Sequence, residues 1–253
     1  MLAIFKRDFI SYFTTPIGYV FMAIFLAVNG GLFSMFTLQA GADSDVGGYF
    51  MAVIFALMIV VPLLTMKVFS EEKKQRTEQL LMTAPVSLGG MVFGKFLAAY
   101  AVFAGTFLLG CFNFVALATF GPKRTIYDEI TRQPLKDVPD YNMAPVIGSV
   151  IAVLLIGAAF VAMGVFISSL TENQFIAAIG TIALMGVFLV VGFLNAYIPF
   201  AWLREALSWL SVYSRFGNFT AGIFDFDAIL YYVSISFVFL FLTVRIYEKR
   251  RWA

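Results

Sequence analysis

Charged side chains are absent from six long stretches of this sequence, residues 9–42, 46–66, 96–122, 141–171, 173–203 and 228–244. A charge at the bilayer centre costs about 2.5–3.5 kcal/mol, and a spanning helix needs about 20 apolar residues. The six intervals therefore read as six transmembrane helices, with approximate spans 17–39, 49–69, 96–119, 146–169, 174–197 and 228–246. Strands are excluded because barrel strands alternate and are about ten residues long, whereas these runs are continuously apolar. Composition agrees, since 61% hydrophobic and 13% charged residues over 253 positions do not make a water-soluble globule of this size. The expected fold class is all-α: a polytopic membrane protein forming one transmembrane domain over 1–253.

The residue inventory removes several function classes. There is no histidine and one cysteine, Cys111. Ser-His-Asp and Cys-His catalysis, histidine-ligated metals and an intrachain disulfide are therefore excluded. The net charge of +2, from 17 basic and 15 acidic residues, is too balanced for a nucleic-acid partner. Gly89-Gly90-Met91-Val92-Phe93-Gly94-Lys95-Phe96 matches the phosphate-loop spacing but places Phe96 where the magnesium-binding Ser or Thr belongs, and no strand precedes it. No site for ATP, magnesium or any other cofactor or metal is expected on this chain, nor any catalytic residue. The spans carry no central charge to relay an ion, which argues against an ion-coupled carrier and for an external energy source. Asn29, Asn113, Ser149 and Ser168 are the polar exceptions, read as interhelical hydrogen-bonding groups or as the lining of a pathway.

Six spans put both termini on one side, and that side, with the second and fourth loops, holds eleven Lys and Arg against six opposite. The positive-inside rule places both termini in the cytoplasm, hence in a cell inner membrane. Ahead of the first span, Leu2, Phe5, Phe9, Tyr12 and Phe13 share one helical arc opposite Arg7, Asp8 and Ser11, which predicts an interfacial helix over 1–15 ending before Pro16.

The second loop is the most informative cytoplasmic stretch. It is charged through Glu71, Glu72, Lys73, Lys74 and Arg76, then amphipathic through Leu80, Leu81 and Met82, then broken at Pro85. The second span is expected to continue as a solvated helix, with a short helix beyond it and Ser87 capping the third helix. Pro62 is expected to kink the second span. Thr171 and Gln174 have capping-box spacing, predicting a tight hairpin between spans four and five. Across 198–227, Pro199, Trp202, Trp209, Arg215, Gly217, Gly222 and Asp225 interrupt an apolar stretch, as an outer re-entrant helical segment would. Trp202 and Trp209 fit an aromatic belt equally well.

These residues resemble the ABC-2 type permeases, particularly the gliding-motility-associated and copper-processing (nitrous-oxide-reductase maturation) subgroup. Thr77, Glu78, Leu80, Leu81, Pro85, Val86, Ser87, Gly94 and Lys95 match that family's motifs, while Arg76 stands where its pattern has glycine. Gly157 to Phe160, Gly164, Ser168 to Thr171, Asn173 and Gln174 are similar to the subgroup's hairpin. Its closing segment is matched by Arg215, Phe216, Phe219, Gly222, Ile223, Asp225, Tyr231, Arg250, Arg251 and Trp252.

The resemblance implies a non-catalytic half-transporter. Two permease subunits, identical or different, would each dock on a separate cytoplasmic ATPase subunit that binds ATP and magnesium. The ATPase-coupling residues would be Glu71, Glu72, Thr77, Glu78, Leu80, Leu81, Pro85, Val86 and Ser87. An outer gate would comprise Trp202, Trp209, Arg215, Phe216, Gly222 and Asp225, and the 1–15 helix would be the family's elbow. The implied function is export driven by the partner ATPase. The alternative is a mechanotransmitting or scaffolding subunit that drives an outer-face accessory protein, with the loop 121–143 as its handle.

Overall fold

The computed structural model describes residues 1–37, 45–77, 87–120, 123–127, 134–139, 143–194, 200, 202, 204–205, 209 and 211–252. Six helices are long and apolar enough to cross a membrane. Interfacial helix α1 (Leu2–Thr14) breaks at Thr15, and α2 (Pro16–Thr37) begins on proline, whose fixed φ and missing N–H suit a first helical position. Asp45 caps α3 (Val46–Thr65) by accepting the Gly48 amide at 2.8 Å. After a turn comes the short α4 (Ser70–Lys74). The third span is two pieces, α5 (Leu88–Gly110) and α6 (Phe112–Phe120), and the fourth is α7 (Met143–Leu170). Helix α8 (Gln174–Leu194) follows, then a 3-10 turn (Tyr213–Arg215), α9 (Gly217–Thr220) and α10 (Phe226–Trp252). The all-α architecture holds across the membrane. Within loop 121–143, β1 (Lys123–Tyr127) pairs antiparallel with β2 (Pro134–Pro139), Lys123 opposite Pro139.

Helix α7 is central and packs on α10, α3, α8 and α5. Its small residues permit this: a Cβ on Gly164 would overlap the Thr65 side chain of α3. At one end, Phe33 of α2, Tyr49 and Phe50 of α3 and Phe114 of α6 form a ring cluster with centroids 4.9–5.7 Å apart. Such edge and offset contacts add about 0.5–1.5 kcal/mol per pair beyond area burial. The opposite end holds both termini, with Phe69 after α3 packed 4.9 Å from Tyr247 of α10 and Ile4 of α1 against Gly94 of α5.

Several expectations are corrected. The third helix starts at Leu88, where the expected Ser87 cap puts it, Ser87 accepting the Gly90 amide at 3.2 Å, so the helix begins eight residues ahead of the span expected from Phe96. Lys95 is thereby a buried helix residue rather than a loop residue. The extension after α3 is solvated on one side only, since Lys74, Gln75 and Arg76 are exposed whereas Ser70 is fully buried and Lys73 is 6% exposed. No capping box forms at α8. Asn173 is the cap, accepting the Phe175 amide at 2.9 Å, while the Thr171 hydroxyl takes the Asn173 amide at 3.1 Å, although the predicted tight hairpin is present. Helix α10 runs for 27 residues, the charged end from Arg245 simply continuing the apolar span.

Of the polar span residues, Asn29 accepts hydrogen bonds from Tyr49 Oη (3.0 Å) and Asn113 Nδ2 (3.4 Å), joining α2, α3 and α6. Ser149 is fully buried, and its hydroxyl has no hydrogen-bond partner among the described residues.

Candidate functional site

At the termini end, three segments far apart in sequence converge on one ammonium. Lys95, only 3% exposed, is held by Glu72 Oε1 at 2.8 Å and Asp8 Oδ2 at 3.2 Å. It also donates to the Val68 carbonyl at 3.0 Å and lies 5.0 Å from the Phe69 ring centroid. Arg7 closes the network, with Nε 2.7 Å from Asp8 Oδ1 and a terminal nitrogen 2.9 Å from Glu72 Oε1. A desolvated ammonium is tolerated only when its protons are paired, and here every contact comes from a different turn or helix. The network thus joins α1, the α3–α4 turn and α5.

The orientation of α1 explains how. Ile4, Asp8, Ser11 and Tyr12 fall on one helical face and turn toward the protein, with Tyr12 donating to the Leu64 carbonyl at 3.1 Å. Burial pushes the Tyr12 phenol pKa up, with the charges of Asp8 and Glu71 adding to it, so Tyr12 stays a neutral donor. Leu2 and Phe13 point outward. The sequence arc grouped Tyr12 with Leu2 and Phe13, opposite Asp8 and Ser11; the structure instead turns Tyr12 inward beside Asp8 and Ser11. The inward side of α1 is thus the one whose polar groups find partners in the bundle.

The other side of α4 is tied to the α7–α8 hairpin. Ser168 Oγ accepts the amides of Phe69 (3.1 Å) and Ser70 (3.2 Å) and donates to the Met66 carbonyl at 3.1 Å. Lys73 donates to the Ser169 carbonyl. These partners are about 100 residues away in sequence, yet they satisfy amides that the start of α4 would otherwise leave orphaned.

Helix α4 ends in a Schellman motif. The Thr77 amide donates to the Glu72 carbonyl and the Arg76 amide to the Lys73 carbonyl, both at 3.0 Å, with Arg76 at φ 57°. The left-handed position that the resemblance gives to glycine is thus present here, occupied by arginine.

The sequence-derived coupling residues divide accordingly. Glu72 is a network member, Glu71 lines the adjoining cavity, Thr77 closes the Schellman turn, and Ser87 caps α5. Glu78, Leu80, Leu81, Pro85 and Val86 lie outside the described residues. Sequence reasoning missed the roles of Asp8, Lys73 and Lys95. The signal for Lys95 was the Ser87 cap itself, which puts Lys95 two turns inside a helix.

At the far end the predicted gate residues do not form one cluster. Arg215 lies 3.9 Å from the Tyr231 ring centroid and 5.7 Å from that of Trp209. Phe216 is buried, whereas Trp202 and Trp209 are exposed. Asp225 caps α10 by accepting the Asp227 amide at 3.0 Å and takes the Asn218 side-chain amide at 2.7 Å. Gly222, at φ 75°, is the left-handed residue of a second Schellman turn, its amide on Phe219 and that of Ile223 on Asn218. The segment enters the bundle through Val212, whose amide donates to the Phe188 carbonyl and whose carbonyl accepts from Tyr232 Oη at 2.9 Å.

Six apolar helices and a short charged helix bonded between them define a multi-pass membrane protein. The sequence matches the family described as ABC-2 family transporter protein over residues 14–247, and the chain belongs to that family. Members are membrane components of transporters that work with an ATPase subunit and are generally not catalytic themselves. No curated protein matches the chain.

Proposed function

We propose that this chain is the membrane-spanning permease subunit of an ATP-binding-cassette exporter in the inner membrane, with both termini in the cytoplasm. One observation carries this reading: α4 is bonded on one side to α1 and α5 through Glu72 and Lys95, and on the other to the α7–α8 hairpin through Ser168. A push on the loop after Thr77 would reach both halves of the bundle. Packed side chains and bonded turns transmit displacement because they have few alternative arrangements. In this reading Glu78, Leu80, Leu81, Pro85, Val86 and Ser87 meet a cytoplasmic ATPase, which supplies ATP and magnesium. Two permease and two ATPase subunits form the complex, and the 198–227 segment closes the outer side. The motif matches over residues 71–95 favour the gliding-motility or copper-processing branch.

Replacing Leu80 and Leu81 with Asp tests the docking. ATPase co-purification is expected to be abolished while the protein stays inserted in the membrane, and unchanged co-purification overturns the assignment. A second reading, force transmission to an outer partner without cargo, is favoured by the β1–β2 pairing, which gives the loop 121–143 a defined scaffold. Deleting residues 123–140 separates the two: retained substrate movement in proteoliposomes contradicts the purely mechanical role.

A further inference from the structure

Beside the charge network lies a cavity of about 260 Å³, walled by α1 (Arg7, Asp8, Ser11, Tyr12), by Thr15, by the α3–α4 turn and α4 (Lys67, Val68, Glu71, Glu72, Gln75) and by Lys95. Two cations, Arg7 and Lys95, and two carboxylates, Asp8 and Glu72, neutralise each other. Lys67 and Glu71 remain, within electrostatic reach of each other but with no ion-pair contact between them. Lys67 is 8% exposed, and its ammonium reaches the Thr15 hydroxyl at 2.9 Å and stands 5.5 Å from the Tyr12 ring centroid, with no salt bridge among the described residues. The Glu71 carboxylate has a single long bond from Gln75, at 3.4 Å. One buried cation and one under-used anion thus face a common polar space.

The level of that space in the membrane is set by the chain. Thr15 immediately precedes α2, and Lys67 follows the last residue of α3 by two positions. The cavity lies where two spans leave the hydrocarbon, which is the headgroup layer of the leaflet on the termini side. The apolar residues Leu2 and Phe13 turn outward from the same helix, where acyl chains run.

We propose that this cavity receives the headgroup of an aminophospholipid, with the phosphate on Lys67 and Thr15 and the primary ammonium on Glu71. A buried ammonium with one hydroxyl partner is under-satisfied, and a phosphate oxygen supplies the charge-assisted bond it lacks. The carboxylate does the same for the headgroup amine. A bound lipid would fill the gap between α1 and the lever and so stiffen α1 against α4. The inference rests on the membrane placement of the chain and not on ATPase docking, so failure of the Leu80 and Leu81 experiment leaves it standing.

Native mass spectrometry of the full chain in detergent tests it, using dioleoyl phosphatidylethanolamine, phosphatidylcholine and phosphatidylglycerol at equal concentration. The unmodified protein is expected to retain phosphatidylethanolamine about tenfold over phosphatidylcholine, the discrimination of one charge-assisted hydrogen bond. Glu71→Gln is expected to remove that preference while lipid is still retained. Lys67→Gln is expected to lower retention of all three, and Lys67→Arg to restore it. Equal retention of the three lipids by the unmodified protein, or a preference for phosphatidylglycerol, overturns the proposal without any variant. So does an unchanged preference in Glu71→Gln. Displacement of the lipid by soluble phosphoethanolamine at matched concentration would show a free phosphorylated amine as the ligand and overturn the lipid assignment.

Discussion

Lys95 of α5 and Glu72 of α4, 23 residues apart in sequence, meet at 2.8 Å in a site where the lysine is 3% and the glutamate 19% exposed. The pair fixes the lever to the bundle. Because the Lys95 ammonium is shared with Asp8, removing it takes the buried cation from two carboxylates at once and leaves them only the half-exposed Arg7.

Lys95→Met is therefore expected to destabilise the protein by about 2–3 kcal/mol, less than breaking a fully buried pair, because Arg7 still bonds both carboxylates. Thermal unfolding in detergent should show a Tm drop on the order of 10 °C. Adding Asp8→Asn and Glu72→Gln to the same variant should recover part of the loss, since the one charge then left without a partner, Arg7, is half exposed and can be hydrated.

Arg76 occupies a left-handed backbone position at φ 57°, which costs a side-chain-bearing residue about 1 kcal/mol. Arg76→Gly should stabilise the α4 terminus by about 0.5 kcal/mol net, the unfolded chain's extra freedom offsetting part of the gain. Arg76→Val should do the reverse. Hydrogen exchange at the Thr77 amide, slower in the first variant and faster in the second, measures both.

Ser168→Ala removes the acceptor of the Phe69 and Ser70 amides. Leaving such donors buried and unsatisfied costs about 1–3 kcal/mol. Faster hydrogen exchange at those two amides, together with a lower Tm, is the expected result. If the proposed function holds, stimulation of the partner ATPase by the permease should fall as well.

The Asp225 carboxylate has its pKa held below the ordinary value by the Asn218 side-chain amide, then by the Ala228 and Asp227 amides and the charge of Arg215. A depressed value means that ionised Asp225 stabilises the folded cap at pH above the normal carboxylate range, and that this contribution fades as pH falls through the lowered value. Acid titration should loosen the start of α10 in that window. Asp225→Asn should flatten the acid dependence, read by the fluorescence of Trp209 beside Arg215.

Much of the fold was legible because the bilayer imposes a simple rule. A charge-free run of sufficient length has one stable solution in lipid, so the number of spans, their approximate positions and the short turn at 171–173 follow from residue types alone. Local signals were legible for the same kind of reason. Ser87 caps α5 and Gly222 takes a positive φ because each property belongs to one residue and its nearest neighbours.

The site was less legible. Glu71 and Glu72 stood out as charges in a loop, but a charge run carries no information about which partners it meets, and the counterions of Glu72 proved to be Arg7 before the first span and Lys95 within the third. Tyr12 was grouped with Leu2 and Phe13 by its apolar ring, whereas its hydroxyl turns it inward beside Asp8 and Ser11, a choice that depends on the Leu64 carbonyl of another helix. Thr171 lost the cap to Asn173 because a capping box needs the helix to begin at one particular residue, and spacing alone permits several.

By itself the sequence determined that this protein lies in a membrane as six helices and brings no catalytic histidine or cysteine pair of its own, since transfer free energy and side-chain chemistry are properties of individual residues. The tertiary structure alone decided that Asp8, Glu72 and Lys95 form one buried network, and that Ser168 hooks the far side of the same lever. The physical reason is that pairing a desolvated charge depends on distances between segments, and those distances exist only after the helices have packed.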